Sequence, residues 1–213
     1  WVSYHEIVKI SGASPVGIPT TIDQDFKVSV SQIKAAITPK TRMIWFSTPC
    51  NPSGSVYSKE ELFAIAQLIQ EYPHMLIVSD EIYEHINFSG KHESIAQFDF
   101  IKEQVITVNG VSKGFAMTGW RIGYMGAPKW VADACIKMQG QFTSGTSSIA
   151  QKAAQAALEA DPSCTFEMKK SFENRRELVL NLLKEIPNLK LNFPKGAFYF
   201  FPDVSNYFGK SDG

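Results

Sequence analysis

Four short runs in this 213-residue chain carry side chains able to do acid–base or covalent chemistry. Asn51-Pro52-Ser53-Gly54 offers an amide, and Asp80-Glu81-Ile82-Tyr83 a carboxylate and a phenol. Asn109-Gly110-Val111-Ser112-Lys113-Gly114 places an amine beside a hydroxyl, and Gly119-Trp120-Arg121-Ile122-Gly123 brings a guanidinium. A lysine amine becomes a nucleophile or base once burial or nearby cationic charge leaves part of it neutral. A guanidinium presents a planar fork of donors suited to a doubly charged anion. Taken singly, each run has an ordinary explanation. Asn-Pro-Ser-Gly is a turn, because Pro fixes φ and Gly permits positive φ. Asp80 could cap a helix with Tyr83 in the core, Lys113 could be a solvated lysine, and Arg121 an ion-pair arginine. The order and spacing of all four together are much harder to obtain by chance.

The runs must be positioned by something, and the intervening sequence reads as alternating strands and helices. Met43–Ser47, Leu76–Ser79, Val105–Val108 and Ile122–Met125 are nearly continuous in hydrophobicity, as expected for strands covered on both faces. Ser29 with Gln32, and Ser58 with Glu61, are capping-box patterns at predicted helix starts. After Ser58, Leu62, Ile65, Ala66 and Ile69 trace one apolar helical face. This alternation predicts an α/β domain with a largely parallel sheet. Its ligand site is then expected at the carboxyl ends of the strands, where three of the four runs begin and the fourth lies just downstream.

Beyond Ala127-Pro128 the texture turns helical, from about Lys129 to Ala160, with Asp161-Pro162-Ser163 as punctuation. A long helix is predicted over Phe166 to Glu185, with Phe172, Val179, Leu182, Leu183 and Ile186 on one side. Leu189–Phe193 and Ala197–Phe201 read as two short strands joined through Pro194-Lys195-Gly196. Two strands alone make a poor core, so they read as the opening of a second domain. The expected organisation is a domain over 1–162, a connecting helix over 163–187 and the start of a smaller domain over 188–213, with the first incomplete at its N-terminus and the last at its C-terminus.

Composition narrows the class of function. Lys plus Arg and Asp plus Glu are 21 each, so overall charge provides no pull toward nucleic acid or an anionic membrane. Apolar runs fall far short of the ~20 residues of a membrane span. Cys50, Cys135 and Cys164 are widely spaced and odd in number, with no metal-ligating or redox pair among them. Reduced thiols in a cytoplasmic setting are the simplest reading. Ser31-Gln-Ile-Lys34 lies inside a predicted helix without the companion motifs of a Ser-x-x-Lys enzyme, and Asn87-Phe88-Ser89 is a chance glycosylation triplet.

Asn-Pro-x-Gly, then Asp-x-x-Tyr, then Ser-Lys, then Arg eight residues past the lysine resembles the class I/II aminotransferases, pyridoxal-phosphate enzymes of fold type I. Val108 to Tyr124, Trp1-Val2-Ser3-Tyr4, Ser79 to His85 and Gly196-Ala-Phe-Tyr199 are especially similar to bacterial aspartate aminotransferases, including those accepting prephenate. The resemblance runs through essentially the whole chain. It implies that Lys113 holds pyridoxal 5'-phosphate as a Schiff base and, when freed, moves the substrate α-proton. It further implies that Asp80 sits against the pyridine nitrogen and keeps it protonated, and that Asn51 and Tyr83 hydrogen-bond the phenolic oxygen. Arg121 would bind the phosphate, Ser112 would add a hydroxyl to it, and Trp1 would stack over the ring and approach the substrate, as Asn51 would. No metal is implied. The substrates implied are an amino acid and a 2-oxo acid, with aspartate and 2-oxoglutarate favoured, and the intact enzyme is expected to be a cytoplasmic homodimer.

The pattern departs from the family at Gly110, where many relatives carry a serine phosphate ligand. Cys50, just before Asn51, reads as a small core residue. The family's glycine-rich phosphate loop lies upstream of the matching tryptophan, and its carboxylate-binding arginine lies in the C-terminal domain. The chain is therefore expected to be part of a longer enzyme, with little turnover and weak cofactor affinity in isolation. Two other readings use the same residues: a carbon–sulfur lyase on this scaffold, and a non-catalytic regulatory domain derived from an aminotransferase.

Overall fold

The computed structural model describes residues 1–211, so the last two positions of the expected second domain lie outside the described residues. Four strands, β1 (Met43–Ser47), β2 (Leu76–Asp80), β3 (Val105–Gly110) and β4 (Gly123–Gly126), form one sheet in that order. β1, β2 and β3 run parallel, with Ser47 opposite Asp80 and Asp80 opposite Val108. β4 is antiparallel to β3, and Gly123 pairs with Gly110. The start of β4 therefore lies at the same end of the sheet as the finish of β1, β2 and β3. That reversal brings the Arg121 run to the edge where the other three runs emerge.

Side-chain alternation along the strands divides the core in two. Ile77 and Val105 face helices α2 (Val30–Ala36) and α3 (Lys59–Gln70), meeting Ile33, Leu62, Ile65, Ala66 and Ile69. The capping boxes form as expected: Ser29 Oγ accepts from the Gln32 amide, and Ser58 Oγ from the Glu61 amide. In return, Gln32 accepts from the Ser29 amide at 2.9 Å and Glu61 from the Ser58 amide at 2.7 Å. On the other face Val78 and Ile106 meet Val131 of helix α4 (Lys129–Phe142), with Trp45, Leu76 and Val108 only partly covered. All four residues of β4 are exposed. Continuous strand hydrophobicity thus leads to two covered faces only in part, because few apolar residues of α4 reach the sheet.

The helical stretch is two helices, α4 and α5 (Ser148–Glu159), separated where Ser144 and Gly145 take positive φ. The long helix α6 spans Ser163–Lys184. Of its expected apolar side, Phe172 stacks on Phe198 with centroids 5.1 Å apart, while Val179, Leu182 and Ile186 stay exposed. The two short strands predicted over Leu189–Phe193 and Ala197–Phe201 do not form. Only single bridges occur there, Lys190 with Asp203 and Asn87 with Gly196. Left-handed φ at Asn188 and Ala197 turns the chain away from a regular ladder, and its backbone groups bond to the core instead. Lys195 and Gly196 amides donate to the Gly54 carbonyl (2.8 and 2.9 Å), and Ala197 donates to Ile86 (2.8 Å). No helix among the described residues is long and apolar enough to cross a membrane.

Candidate active site

Asp80 is the last residue of β2, and the Thr48 amide donates to its carbonyl at 3.0 Å. No helix follows it. Its Oδ1 accepts from the Ile82 amide at 3.1 Å, which closes a tight turn. Its Oδ2 accepts from the hydroxyl of Tyr4 at 2.5 Å. Tyr4 belongs to helix α1 (Ser3–Ile10) and stacks on Trp45 of β1, with centroids 4.5 Å apart. Burial first, and then the Asp80 charge and hydrogen bond, push the Tyr4 phenol well above its ordinary value. A neutral phenol that donates to the carboxylate makes a short hydrogen bond that fixes the Asp80 side chain in place.

Below the turn, Glu81 is buried and fully engaged. Ser79 and Ser94 hydroxyls donate to its Oε1 at 2.8 and 2.7 Å, and His92 Nε2 lies 2.8 Å from Oε2. The Glu81 amide donates to the Val108 carbonyl at 2.8 Å, tying the turn to β3. These bonds hold Asp80 and Tyr83 in fixed relation to the strand ends.

Tyr83 is buried, and its hydroxyl lies 2.7 Å from that of Tyr199. Asn51 Nδ2 donates to the same Tyr199 oxygen at 3.4 Å. Burial, above all, holds the Tyr83 phenol above its ordinary range, with Tyr199 and the Asp80 charge adding to the effect. Lys113 follows the end of β3 by three residues and is half-buried. Its Nζ lies 5.9 Å from the ring centroids of both Tyr83 and Phe198, and it has no carboxylate partner among the described residues. The turn carrying it packs on His85: a Cβ on Gly114 would come within 2.4 Å of the His85 ring.

The anion-binding candidates are arranged more loosely. Arg121 is exposed, takes left-handed φ, and donates from Nη1 to the Thr118 carbonyl at 3.0 Å. Its other donors are free among the described residues. Ser112 is half-buried on the turn before Lys113, and its hydroxyl makes no hydrogen bond among the described residues. Gly110, where a serine was expected from the family pattern, has the β4 backbone against it: a Cβ would meet Ile122 O at 3.0 Å and Gly123 Cα at 3.1 Å. Trp1 is 57% exposed and meets Tyr4 edge-on at 5.5 Å. Cys50 is half-buried with a free thiol. A surface cleft of about 340 Å³ lies elsewhere, between Lys27 and Ile65, and one of about 520 Å³ adjoins the Arg121 run, lined by Ile122, Gly123, Tyr124 and Leu158.

Asn51, Asp80, Tyr83 and Lys113 thus come together at one end of the sheet, with Arg121 and Ser112 on the flanking turns and Trp1 above Tyr4. The residues that sequence reasoning did not assign are Tyr4, Phe198 and Tyr199. Each lies in a quoted motif, but nothing in the local pattern shows where its side chain reaches. Chemically, the set offers an amine for a carbonyl carbon, a carboxylate for a protonated ring nitrogen, amide and phenol donors for an anionic oxygen, and a guanidinium for a phosphate.

The sequence model of the family described as aminotransferase class I and II matches residues 1–211. A bifunctional aspartate aminotransferase and glutamate/aspartate-prephenate aminotransferase from Petunia hybrida is 45% identical over 98% of this chain and 44% of its own length. An aspartate/prephenate aminotransferase from Nitrosomonas europaea is 46% identical over 96% of this chain and 52% of its own. Among solved structures, an aspartate aminotransferase from Rhizobium meliloti superposes with TM-score 0.92 at 40% identity, over 95% of this chain and 51% of that one. The chain spans about half the length of the curated relatives it matches. The α/β fold with its mainly parallel sheet is that of the fold type I enzymes.

Proposed function

Because this chain belongs to the class I and II aminotransferase family, we propose that it is the catalytic-lysine half of a pyridoxal-phosphate-dependent aminotransferase that exchanges an amino group between an L-amino acid and a 2-oxo acid. The observation that carries the reading is Lys113 Nζ at 5.9 Å from both the Tyr83 and Phe198 ring centroids, at the sheet end where Asp80 is held by Tyr4. The donor set fits the cofactor. Among the described residues Lys113 makes no ion pair, the Asp80 carboxylate is fixed at the strand end, and Arg121 keeps donors that no protein group takes. When bound, pyridoxal phosphate supplies an aldehyde for amines and a ring that draws electrons away from the substrate α-carbon.

The chain's own residues would do the rest. Lys113 would hold the cofactor through its aldehyde and would carry the proton to and from the substrate α-carbon. Asp80, fixed in place by the Tyr4 hydroxyl, would hold a proton on the ring nitrogen. Asn51 and Tyr83 donate to the phenolic oxygen, Arg121 and Ser112 grip the phosphate, and Trp1 covers one ring face. Residues 188–213 open a second domain after the α6 connection, and the intact enzyme is a homodimer in the cytoplasm. The names of the relatives support aspartate as the amino donor, and 2-oxoglutarate is proposed as its acceptor.

The test adds aspartate and 2-oxoglutarate to the full-length enzyme that contains this chain, with cofactor, and follows glutamate and oxaloacetate, alongside pyruvate release from a cysteine conjugate. Glutamate in step with oxaloacetate supports the proposal. Pyruvate without amino transfer points to the lyase, and no spectral response to any amino acid points to a regulatory domain.

A further inference from the structure

The Tyr83–Tyr199–Asn51 contact has a direction that hydrogen counting fixes. A phenol has one proton to give and can accept from others, whereas an amide nitrogen only donates. Asn51 Nδ2 therefore gives its proton to the Tyr199 oxygen, across 3.4 Å. Two arrangements remain for the 2.7 Å contact between the two phenols. If Tyr83 donated, Tyr199 would receive two protons while its own found no acceptor among the described residues. The Tyr83 proton would then be spent inside the protein. If Tyr199 donates, every proton in the chain is used and the Tyr83 proton is left for the site. With an anionic oxygen in front of Tyr83 the second arrangement wins, because a hydrogen bond to a charged acceptor is roughly twice as strong as one between neutral groups.

We infer that Tyr199 is a positioning residue, which by donating to Tyr83 turns the Tyr83 proton outward toward an anionic oxygen of the ligand. The inference rests on the aminotransferase reading, in which that oxygen is the cofactor's phenolic one. The backbone around Tyr199 is held firmly enough for such a role. Gly54, at φ +68°, lets its loop meet Pro194, where a Cβ would come within 2.5 Å, and Gly196 packs against Pro49, where a Cβ would come within 2.6 Å. The Phe198 and Tyr199 rings both meet Tyr83 edge-on, at 5.3 and 5.9 Å. Asn192 Nδ2 donates to the Ser53 carbonyl at 2.8 Å, anchoring the same segment to the loop that carries Asn51.

The experiment measures the pH midpoint of the bound cofactor's visible absorption in the full chain, for wild type, Y199F, Y83F and the double variant. A donor to the phenolic oxygen weakens that oxygen's hold on the neighbouring Schiff-base proton, so losing the donor raises the midpoint. Y199F, which keeps the ring and its packing, is expected to raise it by about half to one pH unit. Y83F is expected to raise it further, and the double variant should match Y83F. A midpoint in Y199F equal to wild type overturns the inference and leaves the aminotransferase reading standing. So does a double variant whose shift is the sum of the singles, because Tyr199 would then act independently of Tyr83. A wild-type full-length enzyme containing this chain that takes up no cofactor overturns both.

Discussion

The reacting half of the site and its anion-binding half are built on opposite principles. Asp80 and Tyr83 are each held by another side chain: Tyr4 on the carboxylate and Tyr199 on the phenol, with a buried Glu81 network beneath the turn. Around Arg121 and Ser112 the donors stand in or near solvent with few protein partners. The roles proposed for the two halves account for the difference. Groups that stabilise developing charge act by being fixed beforehand, because reorganising them during the reaction would forfeit their benefit. A phosphate carries about two charges from the start and can draw a flexible guanidinium onto itself. Rigidity has been placed where the chemistry needs it, and tolerance where simple charge attraction suffices.

That contrast predicts unequal responses to substitution. D80A should be the most damaging of the four changes considered, lowering turnover of the full chain by about 10²- to 10³-fold, the scale of losing one preorganised charge-stabilising group. A drop of less than tenfold in steady-state kinetics would mean that Asp80 does not face the reacting ring. Y4F removes the hydroxyl from Asp80 without changing the ring packing, and should cost about 1.5–3 kcal/mol of stability, as a hydrogen bond to a charged group does. Urea denaturation of both proteins at neutral pH measures it. The pH dependence has a definite sign. Tyr4 is raised above its ordinary value, so its contribution is complete below that value and disappears only as pH climbs through the higher folded one. Tyr57 behaves alike: burial lifts it to about 12, so its share of stability is whole below 10.0 and is lost on the way to 12. Ultraviolet absorbance titration should show these phenols ionising late, together with unfolding.

On the anion-binding side, R121A should weaken cofactor binding by about tenfold with little change in thermal stability, since the side chain is exposed and, among the described residues, bonds only to Thr118. S112A should be milder still, within about threefold. If S112A proves the more harmful of the two in equilibrium cofactor titrations, the phosphate lies deeper than the Arg121 turn and the contrast between the halves narrows.

The parts of the site that could be read in the sequence are those set by position along the chain. Asn51, Asp80 and Lys113 each come shortly after a run of strand residues, and a parallel sheet brings successive strand ends to one edge. Arg121 reaches the same edge for another reason, because β4 is antiparallel and begins where β3 ends. The supports were not legible. Tyr4 lies 76 residues from Asp80, and Tyr199 lies 116 residues from Tyr83. No periodicity encodes a contact made by a side chain crossing between elements. The tail misled for a related reason. Leu189–Phe193 and Ala197–Phe201 have strand composition, but Gly54 and Ile86 carbonyls capture the tail's amides before a ladder can form. Between α4 and α5 the turn chemistry was present in Thr143-Ser144-Gly145, and positive φ at Ser144 and Gly145 breaks the helical stretch there.

The most direct test asks which lysine carries the cofactor. The full chain is loaded with pyridoxal phosphate, reduced with borohydride, digested and mapped by mass spectrometry. The phosphopyridoxyl mass should fall on the peptide containing Lys113 and vanish in K113A. Label on any other lysine, or label that survives K113A unchanged, would contradict the assignment of Lys113 and with it the role given to Asp80, Tyr83 and Tyr199.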